Sequence, residues 1–61
     1  MLGNVMDPED RLYFEARWQA EIHAANRAQS DVARRVHLKL AKAYAQMLAD
    51  ANVRERSLAA A

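Results

Sequence analysis

Between Glu9 and Ala61 the chain contains neither glycine nor proline; its one glycine is Gly3 and its one proline is Pro8. A backbone without either residue has no ready site for a left-handed turn or a helix break, so helix is its default state. Alanine dominates the apolar fraction, and the few β-branched residues never alternate with polar ones over a strand length. The chain is expected to be all-α.

Helix boundaries follow from the punctuation that remains. In Asp7-Pro8-Glu9-Asp10, Asp7 is placed to cap free amides, Pro8 suits the first helical position, and Glu9 and Asp10 complement the positive end of the helix dipole. A first helix is expected over about 8–28, carrying the stripe Phe14, Trp18, Ile22 and Ala25. Arg17 and Glu21, four apart, can pair along it.

Ser30-Asp31 reads as a second start, with Ser30 as N-cap and Asp31 in the first turn. No glycine is present to end the first helix, and Asn26 is the nearest substitute for a left-handed cap. The competing reading is one continuous helix, because Trp18, Ile22, Ala25, Gln29, Val32, Val36 and Leu40 continue as one stripe. Two polar residues at the break, and the instability of an isolated long helix, favour an antiparallel hairpin. The second helix is expected over about 31–52, with Asp31 and Arg35 paired. Residues 1–7 are expected to form a flexible lead-in, and 53–61 a frayed or helical tail.

If the chain folds back at Gln29-Ser30, antiparallel packing pairs residues whose numbers sum to about 58. Trp18 then faces Leu40, Phe14 faces Tyr44, Ile22 faces Val36 and Glu21 faces His37. Large residues meet large ones and a carboxylate meets an imidazole. Phe14, Trp18, Ile22, Val36, Leu40, Tyr44, Met47 and Leu48 are the expected core or interface residues, with Glu21 and His37 as an interhelical polar pair.

A chain of 61 residues lies near the lower limit for a self-sufficient hydrophobic core, and without cysteine it has no disulfide or thiolate–metal staple. Such chains gain missing burial by association. The expected assembly is a homo-oligomer, a dimeric four-helix bundle first among the choices, with an unidentified protein partner as a further possibility.

Function is less constrained. No Gly-rich phosphate loop, nucleophile elbow or paired-carboxylate cleft is present, so no catalytic residue is assigned and an enzyme is not expected. The two histidines, His23 and His37, sit on different helices, and Glu21 and His23 point to different sides, so neither a metal nor a cofactor is expected. Arg34, Arg35, Lys39 and Lys42 give the second helix a basic face, with Arg34 to one side. Nucleic acid, RNA or DNA, is therefore the alternative partner to protein. Net charge is only +1. The absence of both a membrane-length apolar run and a signal-like N-terminus points to a cytoplasmic protein. The ending Ser57-Leu58-Ala59-Ala60-Ala61 resembles the Leu-Ala-Ala termini captured by bacterial unfoldase-proteases, although a plain helix end reads the same way.

The pattern Tyr13-Phe14-x-x-Arg17-x-x-x-Glu21, followed by His37-x-x-Leu40-Ala41-x-x-Tyr44, resembles that of short uncharacterised α-helical proteins of alphaproteobacteria, over roughly residues 9–48. The resemblance implies a helical hairpin and a bacterial cytoplasmic setting. It implies no activity, so the expected role is a small non-catalytic interaction or regulatory module.

Overall fold

The computed structural model describes residues 6–60, and among these it is an all-α hairpin of two helices, α1 (Pro8–Arg27) and α2 (Asp31–Ala60), joined by Ala28-Gln29-Ser30. Most of the expected lead-in lies outside the described residues. Pro8 occupies the first turn of α1, and the Asp7 carbonyl accepts a hydrogen bond from the Arg11 amide at 2.9 Å. The Asp7 side chain makes no cap bond, contrary to expectation. Pro8 removes one orphan donor outright, and the exposed first turn leaves the others to water.

The turn needs no glycine because it never enters the left-handed region. Ala28 is extended at φ −62°, ψ 136°, and its amide donates to the Ala25 carbonyl at 3.2 Å. No described residue has positive φ, so Asn26 does not serve as a left-handed cap. Ser30 caps α2 as expected, its Oγ accepting from the Ala33 amide at 3.1 Å. Asp31, however, pairs with Arg34, three residues on, at 3.1 Å and not with Arg35.

The register is the one the polar and aromatic residues require. Phe14 and Tyr44 lie with ring centroids 5.9 Å apart, and Glu21 meets His37 at 2.6 Å. α2 runs eight residues past the expected end at Asn52 and stays helical to Ala60. Part of the reason is Arg11, whose guanidinium reaches Asn52 Oδ1 at 2.7 Å and forms an ion pair with Glu55.

What the helices bury is small. Ala25 and Ala41 are each 2 % exposed and Ala51 is also buried, while no large side chain is fully enclosed. Phe14, Ile22, Tyr44 and Leu48 are half-buried, but Trp18, Val36, Leu40 and Met47 are exposed. Those last four are therefore not core within a single hairpin. The α2 seam runs His37, Ala41, Tyr44, Leu48, Ala51 and Glu55, in steps of four and three; Val36, Leu40 and Met47 lie one position off it. The alanines take the most buried positions of the seam, and Tyr44 and Leu48 share it half-buried.

The shape follows from this. The hairpin measures 47 × 19 × 17 Å with a radius of gyration of 14.1 Å. A compact chain of this length would have about 10.5 Å.

Enlarging the buried alanines tests this packing. Ala25→Leu and Ala41→Leu should each destabilise the fold by about 1–3 kcal/mol through overpacking. Val53→Leu, at an exposed position, should leave the thermal midpoint nearly unchanged.

Candidate functional site

Glu21 is the buried charged side chain among the described residues, 5 % exposed at the centre of the hairpin. One carboxylate oxygen accepts from Arg17 at 2.5 Å, one turn earlier on α1. The other accepts from His37 Nδ1 at 2.6 Å, across the interface. The Arg17 guanidinium carbon stands 5.8 Å from the centre of the Tyr44 ring. Tyr44, by hydrogen bonding and then by charge, and more weakly Glu21, hold the Arg17 guanidinium above its ordinary range. It is a cation wherever the fold exists. Tyr13 packs edge-on against Phe14 at 5.3 Å and extends the aromatic side of this cluster.

Chemically, the cluster is closed. Both Glu21 oxygens are engaged, and no buried side-chain polar atom among the described residues lacks a partner. A carboxylate held at both oxygens, by an arginine on its own helix and an imidazole on the other, fastens one helix to the other. No group of three or more potential metal ligands occurs among the described residues, and His23 stands exposed on the surface of α1.

The surfaces that remain open lie on the flanks. On one side, Trp18, 38 % exposed, sits over Ala45, Leu48 and Ala49 in an open groove of about 430 Å³ that Glu15 and Asn52 border. Trp18 therefore meets these residues and not Leu40, its expected counterpart, because the two project to opposite sides of the seam. The basic face is also exposed. Arg35, Lys39 and Lys42 follow one ridge of α2 with no ion pair among the described residues, whereas Arg34 turns to Asp31.

Known protein families, characterised proteins and solved structures contain no match to this chain. Residue roles must accordingly come from the geometry alone.

Sequence reasoning found Arg17, Glu21, His37, Phe14 and Tyr44, but missed Arg11. The available signal was its spacing: Arg11, Phe14, Trp18, Glu21, Ala25 and Ala28 follow steps of three and four along α1. An arginine on that seam must either bury its charge or find an acid near the far end of α2.

Glu21→Ala should cost on the order of 1–3 kcal/mol, since it strips Arg17 and His37 of their acceptor inside the interface. Glu55→Ala, at a more exposed pair, should cost ~1 kcal/mol or less. Chemical denaturation of the two variants checks the order.

Proposed function

We propose that the protein is a small non-catalytic interaction module of the cytoplasm that self-associates through its apolar helix faces, as a dimeric four-helix bundle. The observation that supports this reading is the inversion of burial. The hairpin encloses three alanines and a carboxylate, while Leu12, Tyr13, Trp18, Val36, Leu40 and Met47 are exposed. Exposed apolar residues are ordinary when scattered, but here Val36, Leu40 and Met47 follow the helical repeat along one flank. Enclosing three alanine methyls is worth roughly what one fully buried leucine contributes, about 2–3 kcal/mol. Covering the flanks with a second protein surface supplies the burial that the seam leaves out.

A second reading, nucleic-acid binding, is favoured by the unpaired ridge Arg35-Lys39-Lys42. Twofold symmetry would double that ridge to six cations, enough for a steep salt dependence.

Sedimentation equilibrium over a hundredfold range of concentration should show a monomer–dimer equilibrium. A monomer throughout would overturn the primary reading. Titration with mixed RNA and DNA at two salt concentrations separates the second: binding that weakens steeply with salt supports it, and no binding at low salt removes it.

A further inference from the structure

The two flanks of the hairpin are not equivalent, and one of them is complementary to itself. Val32, Val36, Leu40, Ala43 and Met47 are spaced by four, four, three and four residues, and all five are exposed on one side of α2. At 100° per residue this row lies on the side of the seam away from Ala45 and Ala49, and hence away from Trp18. The same side of α1 carries Tyr13, Ala16, Ala20 and Ala24, next to Arg17 where it leans over Tyr44. One flank thus presents a row of large side chains on α2 beside a row of small ones on α1. No charged residue interrupts either row; Lys39 lies at the rim, and Arg17 is held by Glu21.

Resting on the self-association reading, we propose that this flank is the interface and that its occupant is a second copy of the chain, related by a twofold axis parallel to the helices. Such an axis keeps heights along the bundle and exchanges the two helices, so each row of large residues lies on the small row of its partner. The Phe14–Tyr44 and Glu21–His37 pairs set the heights. Val36 and Leu40 then seat around the partner's Ala20, Ala43 beside the partner's Ala16, and Met47 against the partner's Tyr13. The last is a thioether–aromatic contact of a favourable kind. Size supports the same occupant. Over the 20 residues of α1, about 30 Å of paired length, a side 19 Å wide presents roughly 570 Å²; counted on both copies this exceeds the ~1,000 Å² total that a specific interface needs. A net charge of +1 opposes the approach of two copies very little. The Trp18 groove lies on the opposite flank and stays open in the dimer.

Leu40→Glu and Gln19→Glu, one on each flank, decide the face by sedimentation equilibrium, with helicity measured alongside. Both positions are exposed in the hairpin, so the fold tolerates either change. Leu40→Glu should weaken the dimer at least a hundredfold and Gln19→Glu less than threefold. Wild-type protein that is monomeric at every concentration overturns self-association itself. A wild-type dimer that Gln19→Glu dissociates and Leu40→Glu does not overturns only the choice of flank. The axis is read by mixing two single-cysteine variants, Ala20→Cys and Leu40→Cys, under mild oxidation. Disulfide-linked product joining one variant to the other is expected; product joining Leu40→Cys only to itself would overturn the parallel axis.

Discussion

Everything in this hairpin depends on a carboxylate placed where a hydrophobic side chain would ordinarily sit. Glu21 is buried at the middle of the seam and accepts from Arg17 on its own helix and His37 on the other. A pair of this kind adds little net stability, because the charges lose much of their hydration. Its effect is on alternatives. Sliding α2 by one turn would carry His37 about 5.4 Å away and leave a buried carboxylate with one partner fewer. The register that keeps Glu21 satisfied also stacks Phe14 on Tyr44 and brings Arg11 to Glu55.

The alanines account for the rest of the architecture. Ala25, Ala41 and Ala51 are the most buried apolar residues of the seam, with Phe14, Tyr44 and Leu48 half-buried among them. The polar pair thus sets the register from the inner surface, while Val36, Leu40, Met47 and Trp18 face outward. The ridge of Arg35, Lys39 and Lys42 lies between those flanks on the back of α2, clear of both.

Much of this could be read from the residues. The long stretch without glycine or proline implies helix, Ser30 marks the second start, and the match of Glu21 to His37 and Phe14 to Tyr44 indicates the antiparallel register. The features that escaped share a cause. Helical spacing identifies a stripe, but it does not say whether the stripe's large or small members occupy the line of closest approach. Val36, Leu40 and Met47 fit the hydrophobic pattern, yet the seam runs one position away through His37, Ala41 and Leu48. The pairing of Arg11 with Glu55 escaped because the two are far apart in sequence and meet only once the helices are set side by side. The ending of α1 escaped for a different reason: an extended Ala28, not a left-handed Asn26, reverses the chain.

The central claim is that one outer face of the hairpin is covered by a second copy in solution, and thermal unfolding followed by circular dichroism at several chain concentrations tests it most directly. Association to the folded state alone makes the midpoint depend on concentration. The account predicts a single cooperative transition whose midpoint rises steadily with concentration. A sharp transition at the same temperature across a hundredfold range would contradict it.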